Sequence, residues 1–517
     1  MHYALTLMIY LFGIILCCAV TLNAQTVGVM EHDEARAYPG YTLMAPVTTT
    51  TTYLIDNDGQ VVHTWQSQFR PGQAVMLLND GTLLRTGTPQ GNTPLNGGGS
   101  GGIVERFSWN GELQWRYQLY GANGRTHHDV EIMPNGNILL LVWYPIPRDT
   151  AFALGRRTAK LRDQTMWLER IIEVKQTGPT SGEIVWTWDT RDHLVQNADA
   201  SLPNYGVIAD NPDRIDINAG GDRTDWLHLN SVRYNAARDE VMLSVHNLHE
   251  LWVISRKSGK LVYRYGNPQI YGRGTTATQQ FWGQHDARWI DSGLVGAGNI
   301  MVFNNGNGRP GGERYSTVEE FTPPLDASGT YVLEKGAAFG PAAPAWMFTP
   351  PSGTSYYAAN ISGATRLPNG NTLACFGPQG LLVEATSDGD LVWRYVSPVG
   401  MNGPVRQGQL PQNSMVFKVY RYGADHPALA GRQLTPRGRL EDGPLSITEA
   451  KSQQDLTVHY VPGSTTAGVT ANGDIETRLE AYNVLGQWLG TVYHGALPQG
   501  TSSLPVPPGT IGIIRIY

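Results

Sequence analysis

Cysteine is scarce: the 517 residues contain three, and Cys17 and Cys18 lie in an apolar leader. An exported chain left with one thiol, Cys375, has no internal disulfide, so packing must hold its fold together. Cys375 lies in the apolar string Asn371-Thr372-Leu373-Ala374-Cys375-Phe376-Gly377 and reads as a small buried hydrophobe. Charge is also sparse, at 16 %, and the net charge is −6. That balance gives no reason to expect nucleic acid as a partner, which needs a clustered cationic surface. Long apolar runs are missing apart from Leu5 to Val20. This run is short for a membrane span, has no stop-transfer flank, and precedes the small-residue site Leu22-Asn23-Ala24. Residues 1–24 are therefore expected to be a signal peptide.

Turn formers and aromatics are plentiful: 60 Gly, 32 Pro, 14 Trp and 24 Tyr, in a chain that is 41 % hydrophobic. Such a composition suits many short strands around a sizeable core. The central chain repeats itself. A turn followed by alternating residues and an aromatic occurs at Asp58–Trp65, Asn110–Trp115, Ser181–Trp186, Ser258–Tyr263 and Asp388–Trp393. A second turn lies upstream of most copies, most clearly at Pro134-Asn135-Gly136-Asn137 and Pro368-Asn369-Gly370-Asn371. Pairing the units predicts five blades, near residues 72–118, 126–190, 226–266, 284–348 and 361–396. A sixth joins strands around Tyr53 to Trp65 with a C-terminal strand, Met415 to Tyr422. Closing the ring with both chain ends removes exposed sheet edges. The expected fold is all-β: a six-bladed β-propeller over residues 25–438, followed by a small β-sandwich over 439–517.

Superposing the blades by their turns brings out a shared position. His128 stands seven residues before Asn135, His228 seven before Asn235, and Ser362 seven before Asn369; His285 opens the corresponding strand of another blade. The innermost strands of a propeller line its channel, so these side chains are expected to converge at one mouth. Three imidazoles there can hold a metal. Alternatively, with Asn230 and nearby guanidinium groups, they can bind the oxygens of sulfate or phosphate. One imidazole can act as nucleophile while the others protonate a leaving group or stabilise charge. Sequence does not separate these options.

Several strings carry a resemblance: Pro39-Gly40-Tyr41-Thr42-Leu43, His128-Asp129-Val130, Asp225-Trp226-Leu227-His228-Leu229-Asn230-Ser231, Gln284-His285-Asp286-Ala287, Phe303-Asn304-Asn305-Gly306 and Ser362 to Asn371. In order across roughly 39–438, they resemble the bacterial arylsulfate sulfotransferases that need no nucleotide sulfate donor. The resemblance implies ping-pong transfer of a sulfuryl group from an aryl sulfate to a phenol, without a cofactor or a metal. It assigns His285 as nucleophile, His228 and Asn230 as holders of the sulfuryl oxygens, and His128 as the histidine that assists the phenolic oxygen. One departure stands out. His246 occupies the place where the family has an arginine, and a histidine is only partly charged where arginine always is. Arg309 and Arg366 are candidates to compensate, with Ser362 lining the same site. A catalytically silent propeller that binds an aromatic or anionic ligand is the alternative, and a metal-dependent hydrolase a third. The tail, with Ala481 to Gln487 and Pro508 to Ile513, resembles the sorting domains of type IX secretion substrates. It implies passage across a Gram-negative outer membrane and a cell-surface or secreted location.

Overall fold

The computed structural model describes residues 25–443, except 92, 313 and 352–355. Beyond them it describes 456–459, 465–471, 475–482, 488–497, 500–508 and 513–516. The leader (1–24) lies outside the described residues, as does most of the Ala481–Gln487 string. Among the described residues no helix is long and apolar enough to cross a membrane.

Six sheets of four or five strands form a six-bladed propeller. The innermost strands are Tyr420–Tyr422, Arg70–Leu77, Gly124–Ile132, Leu229–Asn235, His285–Trp289 and Ser362–Arg366. We number the blades one to six in that order. Blade one is the closing blade predicted from sequence: Tyr420–Tyr422 pairs with Tyr41–Met44, followed by Thr51–Asp56 and Val61–Gln66. A second closure was not foreseen. Gly28–His32 adds a fifth, outermost strand to blade six by pairing with Leu391–Val396. Both ends of the propeller segment are thereby built into the ring.

The repeat turns sit where alternation places them, between antiparallel strands. Gly136 and Gly370 take φ of +82° and +88°, a conformation that costs a residue with a Cβ and favours glycine. The repeated aromatic has a specific task. Trp65 of blade one donates its indole N–H to the Ser108 carbonyl of blade two at 3.1 Å. The same clasp recurs at every seam: Trp115 to Ser181, Trp188 to Gly259, Tyr263 to Gly340, Trp346 to Ser387 and Trp393 to Asn57. Each aromatic fills the space between blades and satisfies its one polar atom, so burial carries no unpaired-donor cost. In blade three the clasp is Trp188, two residues beyond the Trp186 that the repeat singles out. Pairing irregularities between Glu173 and Val174 shift the outer strand there. Cys375 is 1 % exposed between blades, in keeping with its reading as a packing residue.

The C-terminal residues form two three-stranded sheets. One orders Leu456–His459, Thr466–Ala471 and Gly500–Pro505; the other orders Trp488–Leu497, Ile475–Tyr482 and Ile513–Ile516. Ala467, Val469, Leu479 and Val506 are buried in a small core of their own.

Candidate active site

The innermost strands enter the channel at one end through irregular backbone. In blades two to five the ladder slips by a bulge at the strand entry. Non-glycine residues there hold a left-handed conformation: Gln73, His128, His228 and Asp286, with Ile361 just before the strand of blade six. A bulge re-aims the side chains around it, and strained backbone of this kind concentrates at functional sites.

The histidines expected from sequence meet here. The ring centroids of His128 and His228 lie 4.6 Å apart. His246 follows, 5.3 Å from His228 and 5.2 Å from His285. Phe417, from the closing segment, faces His128 at 6.0 Å and His285 at 6.3 Å. Among the described residues no group of three or more His, Cys, Asp or Glu has the geometry to hold a metal ion.

All four rings are held by the same nitrogen. His285 Nδ1 lies 2.8 Å from Asn305 Oδ1 and 3.1 Å from the Gly283 carbonyl. His246 Nδ1 meets Asn247 Oδ1 at 2.8 Å, and His128 Nδ1 meets His127 Nδ1 at 2.9 Å. His228 Nδ1 is paired with Asp225 Oδ2. Fixing Nδ1 sets the orientation of each ring and leaves Nε2 for chemistry. Asn305 is itself fixed, since its amide donates to Ser362 Oγ at 2.9 Å and to the Ala358 carbonyl at 2.8 Å. Ser362 thus acts through Asn305 on His285.

Charge is graded across the group. Burial holds His285 down at about 4, and holds His128 and His246 well below the usual imidazole value. Those three rings are neutral at pH 7. Burial also opposes charge on His228, but the Asp225 carboxylate paired with its Nδ1 outweighs burial and raises its pKa. His228 is therefore the imidazole most ready to carry a positive charge.

The remaining sequence candidates are placed differently. Asn230 is buried and gives an amide hydrogen to the Gln284 carbonyl at 2.8 Å, tying blade four to the residue before His285. Arg309 is not hydrogen-bonded to any of the four histidines. Its guanidinium lies over the rings of Trp282 and Tyr315 and donates to the Tyr315 hydroxyl at 2.7 Å. Arg366 is at the opposite end of its strand from Ser362, paired with Glu320 and stacked over Trp346. Its geometry makes it a clasp between blades five and six, so compensation for the missing arginine does not come from Arg366.

Sequence reasoning missed the partners of the rings: His127, Asp225, Asn247 and Asn305. The His127-His128 doublet and the Asn304-Asn305 pair were the available signals. It also missed the segment Gly97-Gly98-Gly99, which lies against the group. The Gly99 carbonyl accepts from His128 N–H at 2.7 Å. A Cβ on Gly99 would fall 2.0 Å from His128 Nε2, and its φ is +78°. Gly99→Ala is therefore expected to displace the His128 ring and lower turnover about 10²-fold, the usual cost of an ångström-scale misplacement. Steady-state kinetics beside an unchanged circular dichroism spectrum checks this.

A family model described as arylsulfotransferase (ASST) matches residues 26–403. The chain belongs to the arylsulfotransferase family. The matched span contains all six outer clasps and all four histidines. A search of curated proteins finds no match. Among solved structures, a Bacteroides caccae protein of unknown function is 11 % identical, with a TM-score of 0.40, covering 74 % of this chain and 98 % of that one. Virginiamycin B lyase from Staphylococcus aureus is 11 % identical, with a TM-score of 0.34, covering 71 % and 87 %. Neither likeness bears on function.

Proposed function

We propose that this arylsulfotransferase moves a sulfuryl group from an aryl sulfate to a phenol through a covalent sulfo-histidine at His285. The observation that carries the reading is the Asn305 clamp. With Nδ1–H held by Asn305 Oδ1 at 2.8 Å, the lone pair of His285 sits on Nε2. A pKa of about 4 keeps that nitrogen unprotonated at neutral pH. His228, next to Asp225, supplies positive charge to the transferring oxygens, and His246 supplies a neutral ring where the family has arginine. His128 gives a proton to the departing aryl oxygen and later accepts one from the incoming phenol. Asn230 sets the approach of His285 through Gln284. Aryl sulfates and phenols are the partners, no nucleotide donor or cofactor enters, and the leader and tail direct the enzyme to the cell exterior through type IX secretion.

The test is transfer from 4-nitrophenyl sulfate to phenol. Nitrophenol release that requires phenol, phenyl sulfate as product and parallel double-reciprocal plots support the reading. No release under any acceptor leaves a binding propeller. The pH profile follows from the same clamp. Because Nε2 must be unprotonated, kcat/KM on the acid side is expected to hold down to about pH 4 and fall below it, rather than fall near the ordinary imidazole value of about 6.5.

A further inference from the structure

His128 cannot be a lasting proton donor alone, since it is 1 % exposed and burial keeps it neutral. Its Nδ1 faces His127 Nδ1 at 2.9 Å, so one of the two nitrogens carries the hydrogen and the other accepts it. His127 is buried and stacked on Trp143, with ring centroids 4.0 Å apart and planes 2° from parallel. Its other nitrogen, Nε2, lies 3.1 Å from Glu169 Oε2. No hydrogen bond is settled on Nε2, so it is open to a proton from Glu169. Glu169 comes from the third strand of blade three, is fully buried, and accepts from the Leu229 N–H at 3.0 Å.

We propose that Glu169, His127 and His128 form a wire that lends one proton to the leaving aryl oxygen and recovers it from the acceptor phenol. The proposal rests on the sulfuryl-transfer reading above and adds the origin of the proton. At rest Glu169 is protonated, His127 carries hydrogen on Nδ1 and His128 carries it on Nε2. Burial, with Asp225 close by, raises Glu169 to about 8, which matches that resting state. In the first half-reaction the bond from sulfur to the aryl oxygen breaks and the bond from His285 Nε2 to sulfur forms. The aryl oxygen takes the proton of His128 Nε2. His128 Nδ1 takes the proton of His127 Nδ1, and His127 Nε2 takes that of Glu169. The carboxylate left behind keeps the Leu229 N–H and gains a charged-to-neutral contact with the new His127 Nε2–H. Attack by a phenol on the sulfo-histidine runs every transfer backwards and reprotonates Glu169. No proton is exchanged with solvent, so a dry site suffices. Glu169 and His127 act through His128 and are positioning residues.

Two donors test this. Phenolate is a poor leaving group and needs the proton, whereas 4-nitrophenolate is stable without it. In Glu169→Gln the shape of the wire is kept but it cannot move a proton. Sulfation of His285 by phenyl sulfate is expected to slow about 10²-fold, and by 4-nitrophenyl sulfate less than about tenfold, as loss of a general acid dictates. A merely structural role slows both donors alike, and that result, or no slowing of either, overturns the wire. Thermal melting reports whether the variant is folded; if it is not, His127→Asn breaks the middle link and is read by the same ratio. The wild type separates the two levels of the argument. Failure of wild type to sulfate His285 with either donor sinks the reaction and the wire together. Sulfation by wild type with an unaltered donor ratio in the variants sinks only the wire.

Discussion

His285→Ala is expected to abolish sulfuryl transfer, lowering kcat by on the order of 10⁴-fold or more, as deletion of a covalent nucleophile does. Mass spectrometry after incubation with 4-nitrophenyl sulfate should find a sulfuryl adduct on the His285 peptide of the wild type and none in the variant. The expectation rests on the difference between His285 and its neighbours. His285 is 2 % exposed, neutral, and braced by an amide oxygen, a dipole that fixes the tautomer without adding negative charge. His228 is braced by a carboxylate, which draws it toward the protonated form and makes it a poor nucleophile. A nucleophile must offer a lone pair and a stabiliser must offer charge, so the two bracing groups divide the roles. The fold of His285→Ala should survive, because the ring is held by Asn305 and Gly283 rather than holding them, and Asn305 keeps Ser362 and Ala358. An adduct found on His228 or His246 in the wild type, with His285→Ala still active, would sink the assignment.

Much of the ring was legible because its signals are local. The glycine turns and the aromatic four to six residues beyond the glycine are consequences of tight hairpins and of an indole that spans a seam, and both leave fixed spacings. The closing blade was legible for a different reason: a ring needs its edge covered, and Met415 to Tyr422 was the remaining strand-like segment. The outer strand Gly28–His32 was not legible. It covers an outer edge whose pairing leaves no spacing, and its partner Leu391–Val396 is distant in sequence. At the site, the shared offset of His128, His228 and Ser362 from their turns carried the convergence. It could not carry the partners, since Asp225 and Asn305 act from the connections outside the repeat. Arg366 shows the converse failure. Its residue type suggested an anion, but strand alternation and length put it at the far end, where Glu320 neutralises it. His246 was legible only as the residue that stands where the resemblance calls for arginine; its place 5.3 Å from His228 and the neutral state imposed by burial could be known only from its surroundings.

Arg233→Met is expected to destabilise the propeller by about 3–5 kcal/mol, the cost of removing one partner from a buried ionic group. Directly after His128 and His285 in sequence come Asp129 and Asp286, both 1 % exposed. Arg233, on the innermost strand of blade four, donates to Asp129 Oδ2 at 2.8 Å and to Asp286 Oδ1 at 2.7 Å. It also donates to the Tyr420 hydroxyl of the closing strand at 3.1 Å. Lys418 from the closing segment adds a bond to Asp129 at 2.6 Å, and Arg288 adds one to Asp286 at 2.7 Å. A methionine of similar length fills the space but leaves two carboxylates sharing two cations, with the link across blades three, four and five cut. Urea unfolding measures the loss. Arg233→Lys should recover only part of it, since one ammonium cannot serve two carboxylates with the geometry of a planar fork. Acid is the second readout. Burial alone would push Asp286 up, but Arg288, Lys418 and Arg233 outweigh it and hold it down at about 2. Its contribution to stability is therefore complete above the unfolded value of about 3.9 and lost as pH falls through about 2. Without Arg233 the folded value rises, the contribution shrinks, and acid unfolding should begin at a higher pH. The same change should lower kcat with 4-nitrophenyl sulfate, because each carboxylate anchors the strand residue beside a histidine. Unchanged acid and urea midpoints would mean that Lys418 and Arg288 suffice, and that the charge layer does not set the positions of His128 and His285.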